Sequence, residues 1–202
     1  MRLFIFITTL GLLSCGQNAA NKEPGQKDTA IKTVVQKDTV VKTGPQFYTC
    51  PGETAVNASL SKKFDKKWHV MNDREGKWIK DAFDYFIVSK RKEYPDYPYI
   101  TTGDFNDDGK TDTAAVVRDE KKKEFRVAIL LSNGKIQLWE DDVLINAALS
   151  TIPKGEAVEG GDIDHPKKIK IKVDGINVEY FEQASFVVYW SKGSFKRIQT
   201  GD

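Results

Sequence analysis

The stretch Ile100-Thr-Thr-Gly-Asp-Phe-Asn-Asp-Asp-Gly-Lys-Thr-Asp-Thr-Ala-Ala-Val-Val117 decides how this chain is read. Within it, Asp104, Asn106, Asp108 and Asp112 set oxygen-bearing side chains at positions 1, 3, 5 and 9 of a tight loop, and Gly109 stands at position 6, where the backbone has to turn sharply. Hard carboxylate and amide oxygens at that spacing suit a hard cation, calcium above all. The flanks have strand composition: Tyr99 to Gly103 before the loop and the β-branched and small run Thr113 to Val117 after it. The expected order is therefore strand, loop, strand.

An EF-hand would need a bidentate glutamate at position 12 and an exiting helix, but the chain has Ala115 and a strand pattern there. The eighteen residues instead resemble the FG-GAP (VCBS) repeat motif of integrin-α type, roughly G-D-x-[DN]-x-D-G-x-x-D followed by an apolar strand. That resemblance implies calcium held by Asp104, Asn106, Asp108 and Asp112, with the carbonyl of Lys110 as a further ligand. It gives Asp107 no ligand role and leaves it to water. A single motif does not make a propeller, which needs about four blades of four strands.

Composition sets the limits around this loop. The 202 residues are 40% hydrophobic and 11% aromatic, enough for one packed domain with extensions. Charges are nearly balanced, at a formal net charge of +2, so no strongly basic face announces nucleic acid and no acidic tail announces a basic partner.

At the amino terminus, Met1-Arg2 precedes an apolar run from Leu3 to Leu13 and then Ser14-Cys15, which has signal-peptide architecture and is too short for an ordinary membrane span. Leu12-Leu13-Ser14-Cys15 resembles a bacterial lipobox, which implies cleavage of residues 1–14 and acylation of Cys15. Several acyl chains make a lasting anchor, since each buried CH₂ contributes roughly 0.8 kcal/mol. Gly16 fits passage to the outer membrane, with the side faced left open.

Residues 15–46 read as the lipidated terminus and a flexible linker. The segment lacks aromatics and carries the near-repeat Gln26 to Thr33 and Gln36 to Thr43, too short for a solenoid. As a coil it separates its ends by ~30 Å, with a limit near ~100 Å.

Residues 47–202 read as one α+β domain, predominantly an antiparallel β meander with one N-terminal helix and the calcium loop between strands. Asn72 and Asp73 are expected to cap that helix, which runs through about Ile87 with Trp78, Ile79, Ala82, Phe83, Phe86 and Ile87 on its core face. Later strands are expected at Phe125 to Leu131, Lys135 to Trp139, Lys168 to Val173, Ile176 to Phe181, Ala184 to Trp190 and Ser194 to Ile198. Hairpin turns fall at Ser132-Asn133-Gly134, Asp174-Gly175 and Ser191-Lys192-Gly193. The type of the apolar run Val143 to Leu149 stays open.

Other chemistry has few candidates. Glu156, Glu159, Asp162 and Asp164 crowd a charged loop, Gly155 to Pro166, beside His165, which offers paired carboxylates for a hydrolase acting on envelope polymers. Against that stands the ordinary reading of such a loop as a solvated connection. Cys50 has no intramolecular partner once Cys15 is acylated, and is either buried or paired with another chain. The reading favoured on sequence is a non-enzymatic binding or structural module, engaging an envelope protein or glycan. The alternatives are that hydrolase, or an inhibitor or adaptor of a periplasmic enzyme.

Overall fold

Strand β3 (Asp112–Asp119) organises the first sheet, because four of its residues, Ala114 to Val117, are fully buried and both its edges are paired. The computed structural model describes residues 48–200 except 65–66, 140, 142, 163–164, 182 and 184, and it describes no side chain for Asp162 or His165. Along one edge β3 pairs with β4 (Phe125–Leu130), which in turn pairs with β5 (Ile136–Leu138). Its other edge is shared. The first half takes β2 (Ile100–Gly103), from Gly103 opposite Asp112 to Ile100 opposite Ala115, and the second half takes β1 (Trp68–Val70). Between the two, the Met71 N–H donates to the Val116 carbonyl and the Val116 N–H to the Tyr99 carbonyl.

The second sheet has the order β11 (Ser194–Thr200), β10 (Ser185–Ser191), β9 (Gly175–Tyr180), β6 (Ala147–Ile152). Every pairing is antiparallel. Strand β10 explains the layering. Phe186 and Val188 point into the main core with Val116 and Ile129 of the first sheet, whereas Val187 points the other way, to Val158, Ile171 and Ile198. The Phe186-Val187-Val188 run is apolar throughout because both its faces are covered. The outer cover is a hairpin of β7 (Ala157–Asp162) and β8 (His165–Lys170). At Gly160 the hairpin lies so close to β11 that a Cβ there would sit 1.9 Å from the Gln199 carbonyl oxygen.

The expected antiparallel β-rich architecture is present, and so are the turns at 132–134 and 191–193. Asn133 Oδ1 accepts the Lys135 N–H, and Gly134 and Gly193 take positive φ. Four expectations need correction. The sheet is not one meander, because β6 pairs with β9 and the β7–β8 hairpin between them folds onto the outer face. For the same reason Gly155 to Pro166 is mostly hairpin rather than a loop, and Asp174-Gly175 is not a hairpin turn, since β8 pairs back onto β7. The apolar run from Val143 becomes strand only from Ala147.

The fourth correction concerns the helices: among the described residues there are two helical stretches. α1 (Glu53–Phe64) follows Cys50-Pro51-Gly52 and buries Val56 and Leu60, one turn apart. Its Asn57 Oδ1 accepts the Val70 N–H at 2.7 Å, satisfying the free edge of β1. The second helical stretch begins only at Lys80. It comprises α2 (Lys80–Ala82), a π-helical segment (Phe83–Ile87) and α3 (Val88–Lys90). Asn72 and Asp73 cap no helix: the Asn72 side chain and carbonyl close a turn with Arg74, Glu75 and Gly76. Gly76 lets Trp78 fold back, since a Cβ there would lie 2.4 Å from the indole nitrogen. The π turn is wider than an α turn, so the expected apolar stripe does not stay on one face. Ile87 is buried but Phe86 is exposed, and Ile79 is exposed because it precedes the helical stretch in extended backbone. Among the described residues no helix is long and apolar enough to cross a membrane, and Cys15 with the linker lies outside those residues.

Candidate metal centre

The acidic loop joins β2 to β3, and its second residue, Phe105, is fully buried in the main core. The chain is pressed close here: a Cβ at Gly103 would meet the Phe105 ring at 2.8 Å and the Asp174 carboxylate at 2.9 Å. From this anchor the loop closes through its own acids. Asp104 Oδ1 accepts the Asp108 N–H at 3.1 Å, and its Oδ2 accepts the Gly109 N–H at 2.9 Å. Asn106 Oδ1 also accepts from Asp108 N–H, and Asp108 Oδ1 accepts the Lys110 N–H. Positive φ at Asp107 and Gly109 makes the turn tight enough for these bonds.

Asp112 plays a different part. It is buried, with Oδ2 accepting the Phe105 N–H at 3.0 Å and Oδ1 accepting the Ser132 N–H at 2.7 Å. Its carboxyl is raised above the ordinary aspartate range, chiefly by burial, with the charges of Asp108 and Asp104 adding to the effect and the two N–H donors opposing it. Asp108 is lowered, first by the Ser132 hydroxyl, which donates to its Oδ2 at 2.8 Å. Asp107 is exposed, with Lys154 Nζ 3.3 Å from it.

Two residues of this corner lay outside the motif. Ser132 belongs to the β4–β5 turn. Asp174 clamps the loop entry, since its Oδ2 accepts the Asp104 N–H at 2.9 Å and its own N–H donates to the Asp104 carbonyl. Asp174 Oδ1 also accepts the Lys154 N–H, which ties in the β6–β7 turn. No local pattern marks either role, because both partners are remote in sequence.

The donor set of Asp104, Asn106, Asp108, Asp112 and the Lys110 carbonyl is oxygen only, which fits calcium and not a softer metal. A second acid group lies elsewhere. Among the described residues, His69, Glu75 and Glu120 are the imidazole and acid side chains with ligand atoms all within 4.8 Å of one another; the loop carboxylates spread wider. The histidine cluster is an ion-pair knot. His69 Nε2 faces Glu75 at 2.9 Å and Nδ1 faces Glu120 at 3.5 Å, while Arg118 and the Asn72 N–H already hold Glu75.

The bond to Glu75 raises the His69 imidazole above its ordinary value, against burial. A raised histidine stabilises the fold fully below its unfolded value and stops doing so as pH rises through the folded one. The expected result is a urea midpoint that declines as pH rises past the ordinary histidine value of about 6.5, with a smaller decline in His69→Gln. An unchanged slope in the variant would remove His69 as its source.

The remaining candidates separate. Cys50 is buried, its thiol donates to the Asp96 carbonyl at 3.4 Å, and burial pushes it up to about 12, so it is neither a nucleophile nor a ready disulfide partner. Glu159 is paired with Lys168 at 2.6 Å on the exposed hairpin, and Glu156 is exposed; the side chains of Asp162, Asp164 and His165 lie outside the described residues. No protein-family model, no characterised protein and no solved structure matches the chain.

Proposed function

We propose that the chain is a lipid-anchored bacterial envelope protein, acylated at Cys15, whose domain is a non-enzymatic binding or structural module stiffened by calcium in the loop Asp104 to Asp112. One observation carries the calcium reading. Asp104, Asn106 and Asp108 accept N–H bonds from within the loop, which fixes their orientation while each carboxylate keeps lone pairs to spare. Without a cation the like charges of Asp104, Asp108 and Asp112 repel; a divalent ion draws them together. Because Asp174 joins the loop to a segment of the other sheet and to the β6–β7 turn, a cation here would stiffen a corner where three connections meet. The hydrolase alternative draws less support, since the hairpin commits Glu159 to Lys168 and leaves it on the surface.

Calcium titrated through about 10⁻⁴ to 10⁻³ M is expected to raise the melting temperature, as a ligand that binds only the folded state stabilises it by about 2.7 kcal/mol at a hundred times its dissociation constant. Asp108→Ala should lose the response and Asp107→Ala should keep it. The response should also shrink in acid, because protonation of the raised Asp112 carboxyl competes with the cation. A calorimetric titration showing no heat at millimolar calcium would leave the loop as a hydrogen-bonded turn.

A further inference from the structure

Between the segment Glu93–Tyr97 and the facing strands β2 and β6 lies a groove of about 530 Å³, within the range of small-ligand sites. Strands β2 and β6 belong to different sheets and are joined there by side chains. Thr101 Oγ1 lies 2.7 Å from Thr151 Oγ1, which also donates to the Thr102 carbonyl. Three lining residues converge on Glu179, which is not itself part of the lining: Ser150 Oγ at 3.0 Å, Tyr97 OH at 3.3 Å and Lys90 Nζ at 3.6 Å, with Asn177 Nδ2 at 2.8 Å completing the group. At the rim stands Tyr94, an aromatic ring 64% exposed.

We propose that this groove binds a neutral saccharide. The lining selects that class by exclusion and by fit. Glu93 and Asp96 disfavour an anion such as a phosphate, and Lys90, already paired with Glu179, offers no free positive charge to hold one. A wholly apolar ligand would strip water from the hydroxyls of Thr101, Thr102, Ser150 and Thr151 without replacing its hydrogen bonds. The hydroxyl protons of Thr151 and Ser150 are already given to the Thr102 carbonyl and to Glu179, so these groups offer a ligand lone pairs, which sugar hydroxyls fill as donors, and the C–H face of a pyranose suits an exposed tyrosine ring. The site is separate from the acidic loop and needs neither calcium nor the lipid to be as proposed.

The test uses the full chain in a zwitterionic detergent without a sugar headgroup. Saturation-transfer NMR is recorded with maltotriose, cellotriose, chitotriose and, as the charged counterpart, trigalacturonate. At least one neutral trisaccharide should receive transfer, trigalacturonate should receive less, and Tyr94→Ala should weaken binding by about five- to tenfold. Tyr94 is exposed, so the variant should melt where the parent does. The proposal is overturned if none of the neutral sugars binds, if trigalacturonate binds as well as they do, or if Tyr94→Ala leaves binding unchanged.

Discussion

Phe105→Ala is expected to destabilise the domain by about 3–5 kcal/mol, the range for truncating a fully buried aromatic ring. Phe105 is completely buried in the main core, and no rearrangement of an exposed loop can refill the space it leaves. The same residue donates its N–H to Asp112, so its backbone and its ring hold the loop at one point. The effect should therefore appear twice. Urea unfolding in EDTA should show most of the loss, because the ring packs whether or not an ion is bound. Calcium binding should weaken as well, because an unanchored loop has to be ordered by the ion. Phe105→Leu should recover much of the stability by filling most of the volume. A loss below about 1 kcal/mol for the alanine variant would mean that position 2 of the loop does not anchor it.

Local signals made the loop legible. Alternating oxygens, a glycine at the turn and β-branched flanks each act over a few residues, and the strand–loop–strand order follows from them. The hairpins at 132–134 and 191–193 were legible for the same reason, through Asn-Gly and Lys-Gly turns that need positive φ. What failed depended on distant partners. Lys168 to Val173 alternates as a half-buried strand should, yet nothing local says that its apolar side faces the back of β10 and β11. Asn72 starts no helix because capping residues also close turns, and Gly76 with Trp78 settles which occurs. α1 buries only Val56 and Leu60, too little for a periodic signal in the sequence. The Glu179 group draws on four separate segments, so only the folded chain brings it together.

Asp73→Ala is expected to match the Phe105 loss, at about 3–5 kcal/mol, through electrostatics rather than packing. Arg91 follows α3 and is 9% exposed. Its guanidinium forms a two-pronged pair with Asp73, Nη1 to Oδ2 at 2.8 Å and Nη2 to Oδ1 at 2.6 Å, while Nε donates to the Tyr97 carbonyl at 2.8 Å. The rings of Tyr48 and Phe83 lie 4.1 and 5.6 Å from its central carbon. Removing the carboxylate leaves this charge enclosed without a counterion, which is why the single change is severe. Arg91→Lys should also be poorly tolerated, as an ammonium cannot reproduce the fork or the stacking. The double variant Asp73→Ala with Arg91→Met should be far less damaging than the two losses added, since no buried charge remains. The pair ties the turn at 73–75 to the segment that walls the saccharide groove. Loosening it should therefore weaken sugar binding even at temperatures where the variant is folded. A double-mutant cycle in urea showing simple additivity would sink the coupling between Asp73 and Arg91, and with it this account of what holds the groove in place.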